Sequence, residues 1–206
     1  MKWGEFIQSL LHKPLLLFST ATTGVTSSDC LLAVSYAKLS SNGERPITGT
    51  LFYAAPSECA LHGVDYHKIT MHTLNTMGLS MRDFSDAVNQ LFRETTPMSY
   101  NPAFQTMALT EMTECDYVHV ADLPLLFKLA QSKMALRADE LDAIVSISGL
   151  EKVAEGLVHN APPLKRLMRA NNIATDPYTD ELPVVTNVQV LMRLWEMLAV
   201  QEMAVY

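Results

Sequence analysis

Charge is scarce in this 206-residue chain: Asp, Glu, Lys and Arg together make up 18% of it. Hydrophobic residues supply 49%, so a sizeable core is available and global disorder is excluded. The charge that exists is unbalanced, at −7 net. An acidic surface repels phosphate backbones and disfavours nucleic acid as a partner, although a local basic groove remains compatible with it. Cysteine is nearly absent. Cys30, Cys59 and Cys115 are odd in number and form no C-x-x-C pair. That pattern argues against a disulfide framework or zinc ribbon and for a reducing, cytoplasmic setting with small core thiols. No run of ~18 apolar residues exists, so no membrane span is expected. Internal repeats and low-complexity tracts are also missing.

What is present is ordered punctuation. Trp3, Phe6, Ile7, Leu10 and Leu11 fall on one helical stripe, which predicts an amphipathic extension over residues 1–12 ahead of a domain spanning 13–206. Glu5 and Gln8 interrupt the stripe, so it is no signal-peptide core. Pro14 to Phe18 reads as a buried central strand, Leu31 to Leu39 as a second, and Ile47 to Ala54 as a third. Asn42-Gly43 marks the hairpin between the last two. Met71 to Met77 is a short helix stopped by Gly78, a natural left-handed C′ residue. Ser80-x-x-Asp83 starts the next helix, with Phe84, Val88, Leu91 and Phe92 on its apolar face.

Thr96 to Tyr100 predicts a strand, Pro102 opens a helix, and Tyr117 to Ala121 predicts a further strand. Asp122 is placed to cap a helix through Leu123, Leu126, Phe127, Ala130 and Met134. Residues 136–162 read as an inserted helical block. The last helix carries Val184, Val188, Leu191, Trp195 and Leu198 as one seam. Three antiparallel strands, then short strands alternating with helices, predict an α/β mixed sheet flanked by helices.

Several residues resemble a known family. Phe18-Ser19-Thr20-Ala21-Thr22-Thr23-Gly24 is similar to the first motif of DEDD-type 3′–5′ exonucleases, F-D-x-E-T-T-G. Lys68-Ile69-Thr70, then Leu74, Gly78, Ser80, Phe84 and Leu91-Phe92, resembles the stretch that follows it. Tyr100-Asn101-Pro102-Ala103-Phe104-Gln105 looks like A-H-N-x-x-F-D, and the final H-x-x-x-x-D aligns with Leu182 and Asn187. The resemblance implies a ribonuclease H-like exonuclease fold whose frame is retained at Phe18, Thr22, Thr23, Gly24, Asn101 and Phe104. It also implies that the four metal-binding carboxylates are replaced, by Ser19, Ala21, Gln105 and Asn187, and the histidine by Leu182.

In that family four carboxylates hold two divalent metals that activate water and stabilise the leaving oxygen. Magnesium needs hard anionic ligands, which these residue types do not supply. The expectation is therefore a non-catalytic protein with no metal and no cofactor. It would be a structural or interaction component of a replication or repair complex, or of a viral or mobile-element particle. Its partner would be another protein or a second copy of itself. A nucleic-acid-binding pseudo-exonuclease is the alternative, and a residual metal-dependent exonuclease a further one. Trp3, Phe6, Trp195 and Tyr206 are the candidate interface anchors, because aromatic groups dominate interface energetics.

Other chemistry has simpler readings. His62, His67 and His72 are spaced by five and read as loop or surface residues. Thr22-Thr23-Gly24 lacks the lysine of a phosphate loop and reads as a turn. Glu111, Glu114, Asp116 and Asp122 read as a solvated face with a helix cap.

Overall fold

The computed structural model describes residues 10, 13–24, 29–40, 44–55, 64–110, 112–113, 120–131, 168–171, 173 and 182–203. Strand β1 (Leu15–Thr22) forms because an unbroken apolar run suits a strand covered on both faces. It pairs antiparallel with β2 (Leu31–Leu39), which pairs antiparallel with β3 (Ile47–Tyr53). Helices α1 (Val64–His67) and α2 (Met71–Met77) follow, then β4 (Gly78–Leu79) and α3 (Met81–Arg93). Strand β5 (Thr96–Ser99), helix α4 (Pro102–Thr110), strand β6 (Ala121–Asp122), helix α5 (Leu123–Gln131) and helix α6 (Pro183–Met203) complete the described order. The sheet runs β4-β3-β2-β1-β5-β6, with β5 parallel to β1 and β6 parallel to β5. The expected mixed sheet with flanking helices is the observed one.

Period-two alternation along β1 divides the core. Leu15 and Leu17 join α5 and α6 through Leu126, Phe127, Val188, Leu191 and Leu198. Leu16 and Phe18 join α3 through Phe84, Val88 and Phe92, and the Phe18 and Phe92 rings meet edge-on at 4.9 Å. Each fully buried Leu or Phe here contributes roughly 1.5–3 kcal/mol. Leu10, from the N-terminal stripe, is buried in the first cluster.

Local signals explain the element ends. Ser80 Oγ accepts from the Asp83 N–H at 3.2 Å and donates to the Asp83 carboxylate at 2.7 Å, the expected cap of α3. Asp122 Oδ1 accepts from the Leu125 N–H at 3.0 Å, the expected cap of α5. Gly78 differs from expectation. Its φ of −70° is ordinary, so no left-handed cap is required. A glycine is needed because a Cβ there would stand 2.2 Å from the Leu74 carbonyl and 2.9 Å from Ala54 Cα.

Four expectations need correction. Trp195 is buried in the α6 seam, 6% exposed, because it occupies a core-facing position of that helix, and it is no surface anchor. Cys30 is disulfide-bonded rather than a core thiol. Pairing between distant segments is invisible to local spacing, and the partner cysteine lies outside the described residues. His67 is buried, not at the surface. Asp122 is buried as well, because the chain turns inward between β6 and α5. Trp3, Phe6 and Tyr206, the turn at Asn42-Gly43, the helical block 136–162, His62 and the acidic residues Glu111, Glu114 and Asp116 lie outside the described residues. No helix among those described is long and apolar enough to cross a membrane.

Candidate functional site

Strands β1 and β5 pair only from Leu15↔Thr96 to Leu17↔Met98, then part. Open α/β sheets place their ligand crevices beyond the carboxyl ends of such parallel strands. Side chains take over the backbone partners that β5 leaves behind. Ser99 Oγ donates to the Phe18 carbonyl. Gln105 Oε1 accepts from the Thr20 N–H at 2.6 Å and from Thr20 Oγ1 at 2.9 Å. The register with β2 shifts between Ala21 and Thr22, the kind of irregularity that re-aims side chains beside a site.

Gln105 is presented by α4. Pro102 supplies the pre-set φ of its first position, and Asn101 before it takes a left-handed φ of 46°, as asparagine tolerates. The Asn101 carbonyl accepts from the Phe104 and Gln105 N–H groups. The Gln105 orientation is fixed, since the Thr20 N–H needs an acceptor opposite it. That leaves Gln105 Nε2 buried with no partner among the described residues, at a cost of roughly 1–3 kcal/mol.

On the other face of β1, Ser19 points toward α6 as Leu17 does. Asn187, on the first turns of α6, donates through Nδ2 to Ser19 Oγ at 3.3 Å and to Tyr100 Oη at 2.9 Å. Leu182 is half-buried, and its carbonyl accepts from the Val185 and Thr186 N–H groups at the start of the helix. Thus the structure brings Ser19 and Asn187 into direct contact, although 168 residues separate them. Gln105 reaches the same strand at Thr20. Ala21 and Asn187 share the wall of one cavity.

That cavity encloses about 660 Å³ and is walled by Ala21, Phe104, Pro183 and Val184, with Tyr66 and His67 contributed by α1. Thr22, Thr23 and Gly24 form its rim. They make the expected turn: Thr22 Oγ1 donates to the Gly24 carbonyl, and Thr23 pairs with Cys30 through its N–H and its hydroxyl oxygen. Leu182, Asn101 and Phe18 are outside the wall. Phe18 is fully buried beneath it.

Sequence spacing missed Tyr100, Thr20 and His67. His67 Nδ1 accepts from the Ile69 N–H at 3.0 Å across a left-handed Lys68 (φ 60°). The histidine at the end of a four-residue helix gave no periodic signal. Asp122 lies one strand further out. Burial pushes its carboxyl up to about 6, against the opposing pull of hydrogen bonds from the Leu125 and Asn101 backbones.

The donor set is a poor fit for divalent metal. Ser19, Gln105 and Asn187 offer only neutral groups, and Ala21 offers none. Asn187 turns amide hydrogens, not oxygen, toward Ser19, and the Gln105 oxygen is already engaged. Among the described residues no cluster of three His, Cys, Asp or Glu side chains is arranged to hold a metal.

No protein-family model matches the sequence, and neither does any curated protein. Solved structures do. A chain in the structure of yeast NOT1 MIF4G domain co-crystallized with CAF1 superimposes with a TM-score of 0.57 at 14% identity, over 98% of this chain and 86% of that one. E. coli Exonuclease I in complex with a dT13 oligonucleotide gives 0.63 at 12% identity, over 94% of this chain. Exonuclease I from Methylocaldum szegediense gives 0.52 at 15%. The fold is an exonuclease fold. The chain spans 42% of the length of both Exonuclease I chains, so the likeness concerns one part of those proteins. At these identities the shared exonuclease fold says nothing of shared activity.

Proposed function

We propose that this chain is a catalytically silent protein on an exonuclease fold, serving as a structural or interaction component of a larger assembly. The observation that carries the reading is the neutral contact Ser19–Asn187–Tyr100 at the split between β1 and β5. Two clustered divalent cations need several anionic oxygens to offset their mutual repulsion. Here two of the equivalent positions, Ser19 and Asn187, hydrogen-bond to each other, and that contact ties α6 to β1. Where the resembled family bridges such positions by metal, Ser19 and Asn187 are bridged by amide and hydroxyl. Among the described residues His67 is the imidazole on the cavity wall, and its Nδ1 is already held by the Ile69 N–H. An interaction role also fits a structural neighbour that comes from a co-crystal of two proteins.

The cavity of about 660 Å³ favours a second reading, in which the crevice holds a nucleic-acid end without cutting it. The net charge of −7 opposes that. One experiment addresses both. End-labelled single-stranded DNA and RNA are incubated with the full chain in Mg²⁺ or Mn²⁺, and binding is followed at low and moderate salt. No shortening above a mock preparation is expected. Metal-dependent 3′ trimming would refute the silent reading, and salt-sensitive binding without trimming would favour the second.

A further inference from the structure

Among the described residues, one long edge of the sheet is open. Strand β4 pairs with β3 only at Phe52 and Tyr53, so Ile47–Leu51 has no outer neighbour among the described residues. An open edge invites pairing with another chain, and proteins usually blunt it with lysine, proline or a bulge. None of these lies within Ile47-Thr48-Gly49-Thr50-Leu51, whose pairing with β2 is regular throughout. The window is closed at both ends. Pro46 has no N–H to offer, and Phe52 already pairs with Gly78.

The five residues between read alike in both directions: aliphatic, threonine, glycine, threonine, aliphatic. We propose that two copies of this chain pair β3 to β3, antiparallel, about a two-fold axis at Gly49. The inference rests on the interaction role above and names the partner as a second copy. In this register Thr48 faces Thr50 of the second copy, and Ile47 faces its Leu51. Both are pairings that stabilise antiparallel strands. Such an interface is self-complementary, as two-fold symmetry requires.

Two further features belong to this edge. Tyr36 lies opposite Gly49 on β2, and its hydroxyl is 2.7 Å from where a Gly49 Cβ would stand. The ring therefore occupies the space that the glycine leaves. Ile47, at one end of the window, is 63% exposed, and Met77 and Met81, on either side of β4 at the other end of β3, are 59% and 53% exposed.

A five-residue strand pair is a small interface, so affinity on the order of micromolar is expected. Sedimentation equilibrium of the full chain from about 1 to about 100 µM should show reversible dimers. The double variant Ile47→Lys/Thr48→Lys should weaken dimerisation at least tenfold with an unchanged melting temperature, since both side chains are exposed. In Thr48→Cys the two thiols become diagonal neighbours, about 8 Å apart, and a short bis-maleimide should join them. A chain that stays monomeric at the highest concentration overturns the proposal. So does a dimer that ignores the lysines or resists the cross-link. Nucleic-acid trimming is scored on the same preparation, so a silent monomer would sink this inference while leaving the proposed function intact.

Discussion

Replacing Asp122 by asparagine should change how stability depends on pH, with little effect in acid. The residue is 7% exposed, and burial raises its carboxyl from the ordinary 3.8 to about 6. That rise corresponds to about 3 kcal/mol between its two protonation states. The folded chain holds this proton more tightly than the unfolded chain does. The favourable contribution is therefore complete below about pH 4 and is lost as pH rises through 6. Asparagine does not titrate, and its side-chain oxygen can still cap α5 toward the Leu125 N–H. The stability difference between Asp122→Asn and the native chain should therefore grow by about 2 to 3 kcal/mol between pH 4 and pH 7.5, in favour of the variant. Urea unfolding at a series of pH values measures this directly. The other titrating groups cancel in the difference. A gap that stays constant within about 1 kcal/mol would refute the reasoning, since burial would then cost this carboxylate nothing.

Asn187→Leu removes both hydrogen bonds that tie α6 to Ser19 and Tyr100, and should cost about 1–2 kcal/mol in chemical unfolding. Ser80→Ala removes the cap of α3, with an expected cost of about 1 kcal/mol, or about 2–4 °C by calorimetry.

Much of this fold is legible in the sequence because its signals are local. The apolar run at Leu15–Phe18, the alternation of Leu31–Leu39, the Ser80 and Asp122 caps, and the α6 seam each need only a few neighbouring residues. The two-residue strand β4 escapes such reading, because two residues carry no period, while β6 overlaps the expected strand at Ala121. At the candidate site, residue types announce the absence of carboxylates, and turn chemistry announces the rim at Thr22-Thr23-Gly24. What replaces the carboxylates is not announced. The contacts of Asn187 with Ser19 and of Gln105 with Thr20 join segments 168 and 85 residues apart. The Cys30 disulfide and the burial of His67 are likewise tertiary facts. Trp195 shows the limit from the other side, since an aromatic on a helix looks the same in sequence whether it faces a partner or the core.

The proposed silence of the site is tested most directly by titrating the full chain with Mn²⁺ and following the free ion by electron paramagnetic resonance. The comparator is a variant carrying Ser19→Asp, Ala21→Glu, Gln105→Asp and Asn187→Asp. The native chain should leave the free-ion signal unchanged relative to a buffer blank, while the variant removes up to two ions per chain. Two ions taken up by the native chain, and released when Asn187 is changed to leucine, would contradict the account.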